Sequence, residues 1–287
     1  LRIDINNETS PLKSVILGSA ADQGDPYDIN PVAKKHVQEG TYPTPEDIAE
    51  EMAEAKSALE NLGVEVLQPE NLPKKKQIFT RDIGFVIEDK FIVANMKEPI
   101  RAEEIKGIEY ILKEIPEQQI LHVPKEATIE GGDVIVHNDH VFVGISYRTN
   151  WAGFEFLKNN FPKKTVHPLP LVVTDDPATN ILHLDCTFQP VGSNAAIIYE
   201  EGFVNKPDII FDLFKDEDLI RVTQKEKEAM FPNIFSVGPN DVIIEKSFTR
   251  LIEELEKRNI NCHLVKYSET SKLSGLLRCS TLPLFRA

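Results

Sequence analysis

The chain has 287 residues, 41% of them hydrophobic and 27% charged, and a formal net charge of −14. This is the composition of an ordinary globular protein with enough apolar material for a large core, near the size at which cores begin to split into domains. The acidic balance argues against nucleic acid and anionic membrane surfaces as main partners and suits a small cationic ligand.

In chain order, "KSVILG" (13–18) reads as a short apolar strand. The stretch 18–47 is polar, dense in Gly, Pro, Asp and Asn, and too long for an ordinary connection. It reads equally as a lid or as a passive surface excursion. A helix is expected over 45–62, with Thr44 as N-cap, Pro45 at its first position and Gly63 just past its end. Its apolar stripe is Ile48, Met52, Ala55, Leu59 and Leu62, and the strand-like "VEVLQP" follows.

Two segments then read as hairpins, "DIGFVIEDKFIVANM" (82–96) and "GDVIVHNDHVFVGIS" (132–146), each folding about charged or Asn/Asp turn residues. Each leads to a helical pattern and another short apolar run. After the first come Ile105, Ile108, Ile111, Leu112 and Ile115 at helical spacing, then "QILHV"; after the second, "NWAGFEFLKNNF" and "KTVHPL". Weaker copies start at "DCTFQPVGSNAAIIYE" (185–200) and "NIFSVGPNDVIIEK" (233–246). The latter runs into "SFTRLIEELEKRNI", with Ser247 as its N-cap, and "CHLVKY". A fifth unit is assembled from both ends: the strand after Gly275, "KSVILG", the helix 45–62 and "VEVLQP". Five ββαβ units of roughly 45 to 50 residues point to radial repetition, an α/β fold with five blades in pseudo-fivefold arrangement. A doubly wound sheet is the alternative and would need longer helical crossovers and fewer hairpins. No low-complexity segment or Gly/Ser linker interrupts 1–287, so one domain is expected.

Cys186, Cys262 and Cys279 are widely spaced with no C-x-x-C, which makes neither a disulfide framework nor a zinc site. With no apolar leader and no run of membrane-spanning length, the expectation is a reduced, cytoplasmic-type protein without membrane or metal.

Four places break the apolar pattern with residues able to do chemistry. Asp82 opens a strand in "FTRDIGF"; Glu130 and Asp133 flank two glycines in "IEGGDVIV". His183 and Asp185 fall on one face of an alternating strand in "NILHLDCTFQPVG", and Cys279 lies in "SGLLRCSTLPLF". Each alone has a plain explanation: a strand-start cap, a turn, a satisfied histidine, a small hydrophobe. Together they fall at hairpin ends in different units, where ring closure would gather them. Buried carboxylates are costly without a cation or donors to satisfy them. A guanidinium supplies both, being planar with five N–H donors. Its carbon is a poor electrophile that calls for a good nucleophile such as thiolate, and a histidine can protonate the departing nitrogen.

The ordered motifs "FTRD", "EGGDV", "GISYRTN", "HLDCTF" and "SGLLRCSTLPL" resemble those of the guanidino-group-modifying enzymes. That superfamily includes arginine deiminase, dimethylarginine dimethylaminohydrolase and the amidinotransferases. The resemblance implies the five-bladed ββαβ propeller known as the pentein fold. It also implies Cys279 as nucleophile, His183 as general acid/base and Glu130 as the carboxylate pairing with it. Asp82 and Asp185 would grip the guanidinium, Arg148 the substrate's α-carboxylate, and Asp133 joins the substrate-binding set. The subfamily stays open. "SYRTN" leans toward the dimethylaminohydrolases, "HLDCTFQPVG" toward the amidinotransferases and "RCSTLPL" toward the deiminases. Asp185, where dimethylaminohydrolases usually carry lysine, favours an unmethylated guanidinium. Ser274 departs from the second glycine of many relatives. The implied activity is a cofactor-free hydrolase that converts arginine or a close derivative to a ureido product. An amidinotransferase, an arginine dihydrolase and a non-catalytic binding pentein are the rivals. Cys186 and Cys262 are expected to be structural, Cys186 pointing away from the site; assembly into dimers is left open.

Overall fold

A computed structural model describes residues 1–25 and 30–287. Its strands form five separate three-stranded sheets, all built alike. In the first, β1 (Leu12–Leu17) and β2 (Glu65–Leu67) run parallel, and the C-terminal strand β15 (Thr281–Arg286) pairs antiparallel with β1. The helix Pro45–Asn61 makes the crossover that parallel pairing requires. Thr44 accepts a bond from the Asp47 N–H at 3.1 Å and caps it. The unit assembled from both chain ends is therefore present as expected.

The second sheet holds β3 (Gly84–Ile87), β4 (Lys90–Val93) and β5 (Ile120–His122); the third holds β6 (Val134–His137), β7 (His140–Ile145) and β8 (Thr165–Pro170). The fourth has β9 (Phe188–Val191), β10 (Ala195–Ile198) and β11 (Leu219–Arg221). The fifth has β12 (Phe235–Gly238), β13 (Asp241–Glu245) and β14 (Asn261–Val265). In each, an antiparallel hairpin is followed by a crossover into a parallel third strand. A tight turn such as that of β6–β7 needs left-handed backbone, and Asn138 supplies it at φ 54°.

All four residues of β3, β9, β10 and β12 are buried, as in strands covered on both faces, with Gln189 and Ser236 the buried polar residues among them. Two details depart from the sequence pattern. The 105–115 segment is a 3₁₀ turn, Glu104–Ile108, continuing into a single α turn, Glu109–Leu112. Gly107 packs there so closely that a Cβ would lie 2.2 Å from Gln77 Nε2 and 3.0 Å from the Glu70 carbonyl, which favours the tighter coil. Ser247 is not the N-cap of the helix Thr249–Glu256; that place falls to Phe248, without a side-chain bond.

Candidate active site

Each sheet is entered through a short irregular turn just ahead of its first strand, and these five turns carry the polar residues. Asp82 precedes β3, Gly131–Asp133 precedes β6, Leu184–Cys186 precedes β9, Phe231–Asn233 precedes β12 and Cys279 precedes β15. Backbone bonds knit neighbouring turns: Arg81 N–H to the Cys279 carbonyl at 3.0 Å, and Gly131 N–H to the Asp82 carbonyl at 3.3 Å. The repeat thus gathers chemistry-bearing side chains that are far apart in sequence.

Cys279 lines a cleft together with Asp82, Arg101, Arg148, His183 and Lys76. Its backbone N–H donates to Asn233 Oδ1 at 3.1 Å, which also takes the Leu276 N–H at 3.2 Å. Asn233 Nδ2 reaches the Asp185 carbonyl at 3.3 Å. One fully buried amide therefore ties the nucleophile turn to the histidine turn. Sequence reading missed it, although Asn233 opens the fourth unit where Asp82 opens the first. Asn233→Ala should lower kcat by about 10- to 100-fold with KM nearly unchanged, since it misplaces the thiol without touching substrate. Steady-state kinetics checks this; a rise in KM alone would contradict it.

His183 Nε2 lies 2.9 Å from Glu130 Oε2, and its Nδ1 lies 3.7 Å from Asp82 Oδ1. Burial pushes the imidazole down, but Asp82, Asp133 and the bond to Glu130 outweigh it and raise its pKa to about 9. Burial works against ionised Glu130, yet the bond to His183 and the charges of Arg148, His183 and Arg101 hold it down at about 2. Asp82 Oδ2 accepts from Arg101 Nη1 at 2.7 Å, and Arg101 is itself held by Glu104 at 2.9 and 3.0 Å. Asp82 Oδ1 is buried and has no hydrogen-bond partner among the described residues. Asp185 is arranged similarly: Oδ2 takes Arg278 Nη1 at 2.8 Å, and both oxygens face Cys279 Sγ, at 3.7 and 3.9 Å. Arg101 and Arg278 also escaped the sequence reading; Arg278 stands beside the cysteine, but nothing in the motif says which acid it meets.

The glycine pair of "EGGD" now has a reason. A Cβ on Gly131 would lie 2.1 Å from the Arg81 carbonyl, and one on Gly132 would lie 2.7 Å from His183 Cγ and 2.9 Å from Asp82 Oδ1. Only a bare backbone lets the imidazole settle between the two carboxylates. Gly132→Ala should cut kcat by about 100-fold, as a displacement near 1 Å suffices for that. Activity within threefold of wild type, with the protein folded by circular dichroism, would contradict it.

Several expectations change. His183 and Asp185 are not on an alternating strand: Leu184–Cys186 is a 3₁₀ turn, and the strand starts at Phe188. Period-two alternation therefore fails; Cys186 is nevertheless outside the cleft wall and packs in the apolar core, with its Sγ 3.7 Å from Asp185 Oδ1. Asp133 is outside the cleft wall. It accepts from Ser146 Oγ at 2.7 Å and the Leu184 N–H at 2.9 Å, so it braces the turn after His183 and is not placed to hold substrate. Burial raises its pKa to about 7. Glu130 and Asp185 are fully buried behind the lining residues, and Arg148 Nη1 lies 3.4 Å from both Glu130 oxygens. Of the 18–47 stretch, 26–29 fall outside the described residues. The remainder includes the helix Pro31–Glu39, and Asn30, Ala33 and Tyr42 line the cleft. Ser274 adopts φ 69°, where glycine is easier, so the departure lies at a left-handed position. Asp82, Glu130 and His183 each offer one ligand atom within 4.8 Å of the others. Two of these acids already hold Arg101 and Arg148, which a metal cation would have to displace.

Sheets of this kind around such a cleft define a guanidino-group-modifying enzyme of the pentein type, and the chain belongs to that superfamily. Within it, the family model described as "N,N dimethylarginine dimethylhydrolase, eukaryotic" matches residues 28–286. The chain is 35% identical over 232 residues to the uncharacterised protein YkgA of Bacillus subtilis, covering 80% of this chain and 77% of that one. It is 27% identical over 255 residues to arginine deiminase of Listeria monocytogenes, covering 75% of this chain but only 62% of the deiminase. In fold it matches the amidinotransferase SxtG of Microseira wollei, with TM-score 0.83, 19% identity and coverage of 99% and 97%.

Proposed function

We propose that the protein hydrolyses the guanidinium group of arginine or a close arginine derivative to a ureido product of the citrulline type, releasing ammonia or an amine. The observation that supports this best is the meeting on one cleft of a cysteine thiol, a carboxylate-held histidine and the open oxygen of Asp82. In the same reading the five sheets are the blades of one closed pseudo-fivefold propeller.

In this mechanism a guanidinium N–H binds Asp82 Oδ1, and Asp185 faces the reacting centre from behind the thiol. The far end of the substrate carries a carboxylate toward the cleft's cations, in this reading Arg148, with Arg101 and Lys76 also lining the cleft. Burial, with the Asp185, Cys186 and Asp82 carboxylate and thiol groups nearby, raises the Cys279 pKa well above the ordinary thiol range. A bound cation lowers it again, so substrate arrival lets the thiol release its proton to water in the cleft and generates the nucleophile. The thiolate bonds to the guanidinium carbon. His183, protonated at neutral pH, gives its proton to the departing nitrogen as that C–N bond breaks. Neutral His183 then takes a proton from water as its oxygen adds to the carbon; the C–S bond breaks to return the thiolate, and the new hydroxyl loses its proton to solvent to leave the neutral ureido product.

The charge argument gives a prediction. Neutral iodoacetamide should alkylate Cys279 slowly at pH 7 and faster as pH climbs through the alkaline range. Cationic 2-chloroacetamidine should react quickly at pH 7 and be blocked by arginine. Equal rates for the two reagents at pH 7 would count against substrate-assisted ionisation.

The activity itself is tested by incubating the protein with arginine, agmatine and methylarginines, with and without an added amine. Citrulline plus ammonia from arginine alone supports the proposal. Ornithine with a new guanidino compound, formed only when amine is present, replaces it with amidino transfer; no turnover of any guanidine sinks both.

A further inference from the structure

A second, smaller cavity shares no lining residue with the cleft. Residues of β3, β6 and β15 wall it with apolar side chains, and Glu8, Arg81 and Arg286 bring charge to it. It has room for about one water-sized sphere.

The charges around it do not balance. Arg81, Arg278 and Arg286 are 4%, 0% and 5% exposed, so three guanidinium groups are out of water together. Two buried carboxylates accompany them, and Arg278 engages both. It donates to Glu8 at 3.1 and 3.4 Å and to Asp185 at 2.8 Å. Arg81 and Arg286 are held by carbonyls instead: Arg81 Nε by that of Arg278 at 3.3 Å, and Arg286 by those of Ser10 and Ser236 at 2.6 and 2.7 Å. Arg81 Nη2 and Arg286 Nε are buried and have no hydrogen-bond partner among the described residues. Buried charges are normally paired, because a carbonyl dipole replaces only part of the hydration an ion loses. Burial and the neighbouring arginines bring Arg81 down to about 9 against the pull of Glu8 and Asp185, and burial with Arg278 brings Arg286 down to about 10 against that of Glu8.

We propose that this cavity binds one small monovalent anion, chloride by size and charge, through Arg81 Nη2 and Arg286 Nε. A single negative charge neutralises the excess of three cations over two anions. The small volume favours a monatomic anion over phosphate, sulfate and carboxylates. Glu8 does not prevent binding, because its oxygens are engaged by Arg278 and by the Val136 N–H at 3.5 Å. The anion steadies Arg81, whose N–H donates to the Cys279 carbonyl, and through it Arg278, the residue before the nucleophile, yet it touches no reacting group. The site is independent of which guanidino reaction the cleft performs.

The test uses the wild-type chain. Thermal unfolding is followed in sodium chloride and sodium gluconate at matched ionic strength, and crystals are soaked in sodium bromide. The unfolding midpoint should rise saturably with chloride and stay flat in gluconate. Bromide should give an anomalous peak within hydrogen-bond distance of the two named nitrogens. Arg81→Gln should abolish both effects; if that variant does not fold, the two wild-type measurements decide. A midpoint indifferent to chloride, or cavity density without anomalous signal, overturns the proposal.

Discussion

Cys279→Ser should bind arginine and turn it over roughly 10⁴-fold more slowly than wild type, the scale seen when a covalent nucleophile is removed from an otherwise intact site. The substitution is nearly isosteric, so the backbone bonds from Cys279 N–H to Asn233 and from Arg81 to the Cys279 carbonyl are expected to survive. Serine cannot replace the thiol because the environment that handicaps Cys279 handicaps a hydroxyl far more. Two buried aspartates face this position; Arg101 and Arg278 engage one oxygen of each, and the incoming guanidinium supplies the further positive charge that favours ionisation. A thiol can be ionised by that single cation, whereas a hydroxyl starts several pKa units higher. Isothermal titration should still detect arginine binding to the variant, and quenched assays should find no adduct on the enzyme. Retained turnover would remove Cys279 from the mechanism.

Glu130→Gln should cost about 10²- to 10⁴-fold in kcat, the usual worth of a positioned acid–base group. Glutamine keeps an acceptor for the imidazole but removes the charge. His183 then loses one of the carboxylates that hold its pKa up at about 9, while burial continues to push it down. The sign follows. The protonated form is needed to expel the leaving nitrogen, so the alkaline limb of the kcat profile, set near 9 in wild type, should move to lower pH. Arg148 would also lose the carboxylate it approaches at 3.4 Å, leaving its buried charge less compensated. A loss of about 3 kcal/mol in urea unfolding is the expected companion. A kcat loss with the alkaline limb unmoved would show that Glu130 acts only in structure.

Much of this arrangement was legible in the sequence because it rests on local pattern. The hairpin and crossover units repeat, and their hydrophobic runs identify the strands; the helix 45–61 carries its cap and its stop. Cys279, His183, Glu130 and Asp82 were named because residues able to do chemistry interrupt those runs. One error assumed regular structure where the chain is irregular. The alternation rule presumes a strand over 184–186, but that segment is a 3₁₀ turn, so the rule does not govern Asp185 and Cys186. The motif resemblance puts Asp133 in the substrate-binding set, yet its oxygens accept from Ser146 Oγ and the Leu184 N–H.

By itself, then, the sequence determined the repeating unit, the joining of the two chain ends in one sheet and the chemical inventory of the cleft, since periodicity and residue type are properties of short stretches. The tertiary structure alone decided the partnerships. It assigned Arg101 to Asp82, Arg278 to both Asp185 and Glu8, and Asn233 to the nucleophile turn. These contacts join residues from 19 to 270 positions apart. A charge finds its counter-ion by distance and burial in space, and no local periodicity encodes that.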